Sequence, residues 1–137
     1  MDSLHRALLQ VDWDTLDHAY GPASDAPGQL LALVGDDPQA RSGAVGYLDA
    51  AMLHQGTVCS ATGPFIAIVA GLLGDPRTAV SVADVLPWDP GTKPLRAALL
   101  DYLVVFTEAC RLEISDEELT LDAYPVGRDE ADLQRYL

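Results

Sequence analysis

The chain of 137 residues is long enough for one domain with its own core, and 49% of it is apolar, which argues against intrinsic disorder. Acidic residues outnumber basic residues by 21 to 8, so the formal net charge is -13. This charge repels phosphate backbones and so excludes direct nucleic-acid binding, whereas it favours association with a basic protein.

The first predicted helix covers residues 13–19. Asp12 can accept hydrogen bonds from the free amides of its first turn, and the Gly-Pro pair at 21–22 would end it. The segment before this helix lacks the basic stretch and apolar core of a signal peptide, which predicts a cytoplasmic protein.

Two further helices are predicted, each preceded by an aspartate as the N-cap. Residues 26–34 form the second predicted helix, with Asp25 as the N-cap and Gly35 at the end. The Asp-Pro pair at 37–38 is typical of a cap followed by a first-turn proline, and apolar residues three and four apart then predict a helix that ends near His54.

The fourth helix is predicted at residues 57–73. Gly56 breaks the chain before it, Thr57 is the expected N-cap, and Pro64 should kink it about two turns in. No charged residue occurs between Thr57 and Gly74, but glycine, alanine and hydroxyl residues dilute this run, so a central helix buried on every side is favoured over a membrane span.

The sequence Gly-Asp-Pro at 74–76 resembles Gly-Asp-Asp-Pro at 35–38, about forty residues earlier, and suggests an internal repeat. A weaker, valine-rich helix is predicted at residues 77–86. Residues 87–91, which contain two prolines and a glycine, should form a loop.

The longest helix is predicted at residues 94–112 with Thr92 as its cap. Its polar face is interrupted by Leu100 and Val104, which indicates a second packing contact or an exposed apolar patch. Two short helices are predicted after it, at residues 115–118 and 129–137.

These elements predict an all-α fold. Helices of this length joined by short loops are typical of a right-handed α-solenoid, here about three stacked helical hairpins of the HEAT type, in a single domain of residues 1–137.

Several motifs in the N-terminal half extend this expectation. They read Trp13-x-x-Leu16-x-His18-Ala19-Tyr20-Gly21, then Ala23-x-Asp25-x-Pro27, then Asp36, Arg41, Ala44 and Leu48, then His54-Gln55-Gly56-Thr57-Val58-x-x-Ala61-Thr62-x-Pro64-Phe65. Together they resemble the opening of bacterial HEAT-repeat proteins, which are common in actinomycetes. The resemblance covers residues 11–74 and implies an α-solenoid that binds other proteins, without catalytic residues; residues 75–137 are expected to form a divergent helical cap.

The sequence His54-Gln55-Gly56 admits two interpretations. The favoured one is structural: a histidine at a helix end, a glycine in a left-handed turn and a hydroxyl cap after it. The functional alternative is that His54 and Gln55 lie with His18 and Tyr20 on one rim of the solenoid and contact a ligand.

The acidic residues at helix starts, Asp14 and Asp17 among them, are first of all expected to cap helices. In a solenoid, equivalent helix starts line one edge, so these carboxylates could also form an acidic rim for a basic protein. Trp88 lies in a predicted loop and either packs over the core edge or anchors an interface.

Catalysis and metal binding have little support in the residue spacing. Cys59 and Cys110 are expected to be buried, unpaired thiols. A nucleophilic pair of Cys59 with His54 lacks an orienting third group, and the histidines have no metal-ligand spacing. No cofactor is expected.

The sequence thus favours a non-catalytic protein-binding module, possibly of the immunity or antitoxin class that neutralises a basic nuclease. Two alternatives remain open: a small enzyme or ligand-binding protein that uses the region of His54 and Cys59, and a homodimer or larger assembly formed through Leu100 and Val104.

Overall fold

The computed structural model of the chain describes the backbone of residues 2–123 and the side chains of residues 2–111, so the helix predicted at residues 129–137 lies outside the described part. The described part is mainly helical, as predicted. Its α-helices are α1 (Ser3–Leu9), α2 (Ala26–Leu33), α3 (Pro38–Tyr47), α4 (Thr62–Leu72) and α5 (Leu95–Ala123). Two short antiparallel sheets pair β1 (Asp17–His18) with β2 (Gly21–Pro22), and β3 (Ser81–Ala83) with β4 (Thr92–Pro94).

Helices α2 and α3 pack against each other as a helical hairpin. The predicted cap between them is confirmed, because the Asp37 carboxylate accepts the Gln39 amide N–H at 3.0 Å. The Arg41 guanidinium donates to the Gly35 carbonyl at 2.6 Å and so satisfies a free carbonyl at the end of α2. Asp25 precedes α2 as predicted, but its side chain makes no cap hydrogen bond and points its carboxylate elsewhere.

Helix α4 begins later than predicted. Thr57 does not cap it; the Thr57 hydroxyl donates back to the His54 carbonyl, and the helix starts at Thr62. Pro64 therefore lies in the first turn, where a missing amide removes no helical hydrogen bond, and the predicted kink is wrong. The expected burial on every side is also wrong, because Gly63, Ala67, Ala70 and Gly71 are exposed while the opposite side of α4 is buried.

The helix predicted at residues 13–19 is wrong. One 3₁₀ turn, Trp13–Thr15, is followed by the β1–β2 hairpin. Asp12 makes no side-chain cap there. Distant parts of the chain determine this conformation: the Ala19 amide donates to the Ala51 carbonyl at 3.0 Å, and the Asp17 carbonyl accepts the Ala61 amide at 3.0 Å.

The helix predicted at residues 77–86 is wrong as well. A 3₁₀ turn, Pro76–Ala79, leads into β3, and the predicted loop at 87–91 is the tip of the β3–β4 hairpin. β-Branched valine favours extended backbone, and Val82 buries its side chain from the centre of β3. The similarity between the loops at 35–38 and 74–76 extends to their caps, since the Asp75 carboxylate accepts the Arg77 amide N–H as the Asp37 carboxylate accepts that of Gln39.

Helix α5 follows β4 directly, so Thr92 is a strand residue and not a cap. It runs without a break through residues 115–118, where a separate helix was predicted. Leu95, Leu99 and Tyr102 are buried on one side of it, whereas Leu100 and Val104 are 52% and 55% exposed, as their position in the polar face indicated.

The core lies where α2, α3, α4 and α5 meet, and Phe65 and Tyr102 are the largest of its fully buried side chains. Trp13 packs its ring edge to face with Phe65 at 6.4 Å and donates its indole N–H to the Leu8 carbonyl. Among the described residues, no helix is both long and apolar enough to cross a bilayer.

Candidate binding cleft

The end of α3 carries two departures from regular helix. Leu48–Met52 form a π turn, closed by a hydrogen bond from the Leu53 amide to the Leu48 carbonyl. A 3₁₀ turn follows in which Gln55 and Gly56 both have positive φ, 52° and 77°. Glycine adopts this conformation freely, as predicted for Gly56, whereas glutamine does so at an energetic cost. Such costs concentrate at functional sites.

Thr62 fixes this irregular segment to the start of α4. Its buried hydroxyl donates to the Met52 carbonyl at 2.7 Å and accepts the Cys59 amide N–H at 2.8 Å. The hydroxyl thus both donates and accepts, so it links the end of the π turn to the loop before α4.

The side chain of His18 is only 8% exposed and is held by hydrogen bonds on both ring nitrogens. Its Nδ1 accepts the Tyr20 amide N–H at 3.0 Å, so the ring proton is on Nε2, which donates to Asp25 at 3.2 Å. The Tyr47 hydroxyl donates to the same carboxylate at 2.8 Å. Burial, reinforced by the Asp25 carboxylate, raises the pKa of Tyr47.

His54 has the opposite tautomer. Its Nδ1 lies 3.0 Å from the Ala50 carbonyl, which can only accept, so Nδ1 carries the proton. The Tyr20 hydroxyl lies 3.3 Å from the same nitrogen, and the two rings meet edge to face at 5.5 Å. In the neutral ring the lone pair is therefore on Nε2, which can accept a hydrogen bond from a ligand.

A continuous series of ring contacts joins the core to this surface. Each ring contacts the next with centroids 5.5 to 6.4 Å apart. The series runs Trp13, Phe65, Tyr47, His18, Tyr20 and His54. Tyr20 is 69% exposed, yet its position is set by rings that are partly or fully buried.

Trp88, at the tip of the β3–β4 hairpin, faces this surface from the other side. Its ring meets the buried ring of Tyr102 edge to face at 5.2 Å and remains 51% exposed. The hairpin tip is anchored by Lys93, which pairs with Asp89 in the tip and lies 3.5 Å from Asp101 of α5. Both interpretations offered for Trp88 thus have a structural basis: the ring packs on the core edge and presents a free surface.

Tyr20, the irregular end of α3 and the hairpin tip enclose an open cleft of about 530 Å³. Among the described residues that line it, Asp49 is the only one with a carboxylate, and none is a lysine or an arginine. Asp49 belongs to the π turn and lies near Tyr102. Burial of the Tyr102 hydroxyl raises its pKa, and the Asp49 carboxylate raises it further. The lining residues are Tyr20, Asp49, Ala50, Leu53, His54, Gln55, Gly56, Pro87, Trp88 and Val105.

The structure brings together four of the seven residues predicted for the rim: Tyr20, His54, Gln55 and Trp88. His18 lies behind them and positions Tyr20. Asp14 lines a separate groove with Trp13 and Pro27, and Asp17 is an exposed residue of β1.

Sequence reasoning missed Asp49, the charged residue of the cleft, and the Asp25–Tyr47 pair behind it. Asp49 stood within an ordinary helical pattern, and only the π turn distinguishes it. Asp25 could have been recognised only through its contact with Tyr47, which is 22 positions away in sequence.

The cysteines differ from expectation in part. Both Cys59 and Cys110 are unpaired, but they are half-buried and not fully buried. Cys59 lies in the loop before α4 and not at a helix start, and its backbone is held by Thr62. Within the described residues no group of three or more histidine, cysteine or acidic side chains could hold a metal ion.

In comparisons with known proteins, no family model, no curated protein and no solved structure matches the chain.

Proposed function

We propose that the chain is a non-catalytic protein-binding module that recognises a basic partner through the cleft at the end of α3. The observation that carries the proposal is the joint presence in one cleft of two exposed aromatic rings, Tyr20 and Trp88, and the Asp49 carboxylate, with no lysine or arginine among the described lining residues. Exposed, well-anchored aromatic rings are typical of interface centres. The net charge of -13 would accelerate the approach of a basic protein.

The finer fold proposal is a right-handed α-solenoid related to HEAT-repeat proteins. Two pairs of packed helices support it: α2 with α3, and α4 with α5. The equivalent caps formed by Asp37 and Asp75 support a repeat. The β3–β4 hairpin between α4 and α5 departs from a regular repeat. Residues 75–137 remain the proposed divergent cap.

A narrower form of the proposal is an immunity or antitoxin protein in the cytoplasm that neutralises a basic nuclease. Its support is the acidic charge combined with an aromatic cleft, since such a protein has to bind a positively charged nucleic-acid enzyme.

Pull-down of partners at low and high salt, with identification by mass spectrometry, tests the proposal. We expect a basic protein whose binding falls as salt screens the charges. A Trp88→Leu variant should lose this protein, and an Asp14→Asn variant, changed in a separate groove, should retain it. An acidic partner, or binding insensitive to salt, would contradict the proposal.

Self-association is a second candidate, because Leu100 and Val104 expose an apolar patch one turn apart on α5. Light scattering over a range of concentrations tests it, and the mass of a single chain at every concentration would exclude it. An enzyme that uses Cys59 has weaker support, since Cys59 is not among the described residues that line the cleft with His54. Fast thiol labelling of the folded protein would favour that class.

A further inference from the structure

The chemistry of the cleft narrows the kind of group that it can bind. A cation is favoured because the described lining residues include one carboxylate, that of Asp49, and no lysine or arginine. Aromatic rings attract cations through the negative charge of their faces, and tryptophan does so most strongly. Tyr20 and Trp88 are the two exposed aromatic rings of the lining.

The hydrogen-bonding groups favour a flat cation with several donors. The lining residues carry three acceptor groups: the Asp49 carboxylate, the Tyr20 hydroxyl oxygen and, when the ring is neutral, Nε2 of His54. An arginine guanidinium carries five N–H donors in one plane, stacks on aromatic rings and is weakly hydrated. A lysine ammonium is a compact, strongly hydrated charge and gains less in a cleft as open as this one.

We infer that the cleft binds an arginine side chain of the partner protein, with its guanidinium against Tyr20 and Trp88 and paired with Asp49. This inference rests on the proposed function and names the chemical group that the proposed function leaves unspecified. Gln55 and Gly56, whose left-handed backbone borders the cleft, shape the edge across which the arginine enters.

The two tryptophans of the chain provide a built-in test. The Trp88 indole is half exposed in the cleft, whereas that of Trp13 is buried and bonded to the Leu8 carbonyl. In ¹⁵N-labelled protein the two indole N–H signals can be followed during titration with three short neutral-background peptides that differ in one central residue: arginine, citrulline or lysine. Citrulline has nearly the same shape as arginine but no charge.

The arginine peptide should shift the Trp88 signal and leave the Trp13 signal unchanged. We expect it to bind roughly tenfold more tightly than the citrulline peptide and several-fold more tightly than the lysine peptide. Tyr20→Leu and Asp49→Asn should each weaken arginine binding roughly three- to tenfold. Asp14→Asn, which removes the same charge from a separate groove, should leave it unchanged.

An unchanged Trp13 signal in each variant verifies that the core remains folded, so a loss of binding can be assigned to the cleft. Equal shifts with arginine and citrulline, no shift of Trp88 with any peptide, or equal effects of Asp49→Asn and Asp14→Asn would each overturn the inference. If these occur while a basic partner is still captured in a way that depends on low salt and is lost in Trp88→Leu, the arginine site is wrong and the proposed function stands. An acidic partner would instead count against the proposed function.

Discussion

Gln55 has a backbone conformation that its side chain does not favour. Its φ of 52° lies in the left-handed region, where a β-carbon crowds the following carbonyl, and its side chain is exposed. The turn is nevertheless imposed, because the Gly56 amide bonds the Leu53 carbonyl and the Thr57 amide bonds that of His54. The strain therefore lies at the edge of the cleft.

Gln55→Gly should relieve this strain and stabilise the protein by about 1 kcal/mol, measured as the free energy of unfolding in urea. Gln29→Gly is the matched control, because Gln29 lies within α2 and glycine there should destabilise by a similar amount. A loss of stability in both variants would show that residue 55 is not strained.

The half-buried Tyr47 and the buried Tyr102 predict how the free energy of unfolding changes at alkaline pH. Burial raises the pKa of Tyr47 and of Tyr102 above the ordinary value of 10.0. Above about pH 10 the unfolded chain releases these protons while the folded chain keeps them, so stability should be constant below that pH and fall as pH rises above it. Urea unfolding between pH 8 and 11 measures the effect, and Tyr47→Phe should reduce the slope. A profile without a decline above pH 10 would contradict the assignment.

At the scale of elements, the two adjacent aspartates before α3 allow the contribution of the N-cap hydrogen bond to stability to be measured separately from that of charge. Asp37 accepts the Gln39 amide, whereas Asp36 is exposed and precedes the cap. Asp37→Ala should cost about 1 kcal/mol of unfolding free energy, and Asp36→Ala should change it by less than about 0.5 kcal/mol. Thermal or urea unfolding of both variants tests this prediction. Equal losses of unfolding free energy would imply that the negative charge, and not the cap hydrogen bond, stabilises the start of α3.

Elements whose conformation is determined by neighbouring residues could be predicted from the sequence. Elements whose conformation depends on contacts with residues far away in the chain could not. The Asp-Pro cap of α3 and the apolar side of α5 are encoded within a few residues. Strands of two or three residues have too few side chains to show alternation. Residues 13–22 depend on Ala51, Ser60 and Ala61, so their helix-like spacing was misleading.

The cleft shows the same division. The left-handed turn at Gly56 follows from local composition, whereas the association of His18, Tyr20, His54 and Gln55 was the functional alternative to a purely structural interpretation of their motifs. The π turn and Asp49 were not, because one extra residue in a helix leaves no mark on a hydrophobic pattern of this length. Asp14 and Asp17 were assigned to the rim through helix starts that do not exist in the structure.

For the molecule as a whole, the net charge of -13 predicts that salt stabilises the fold. The compact state brings like charges together, and added ions screen their repulsion. Between 10 mM and 200 mM sodium chloride, the free energy of unfolding should rise by about 1 kcal/mol and then level off. Potassium chloride is the control for specific ion effects. A decrease in the free energy of unfolding with either salt would mean that attraction within ion pairs outweighs the repulsion between like charges.

The β3–β4 hairpin contributes little more than Val82 and Leu86 to the core, whereas its tip forms one wall of the cleft through Pro87 and Trp88. If the cleft binds a partner as proposed, substitutions or insertions in the tip would change which partner is bound while the helices keep their packing. In related chains, divergence should concentrate at this tip, where new specificities can arise at little expense to folding.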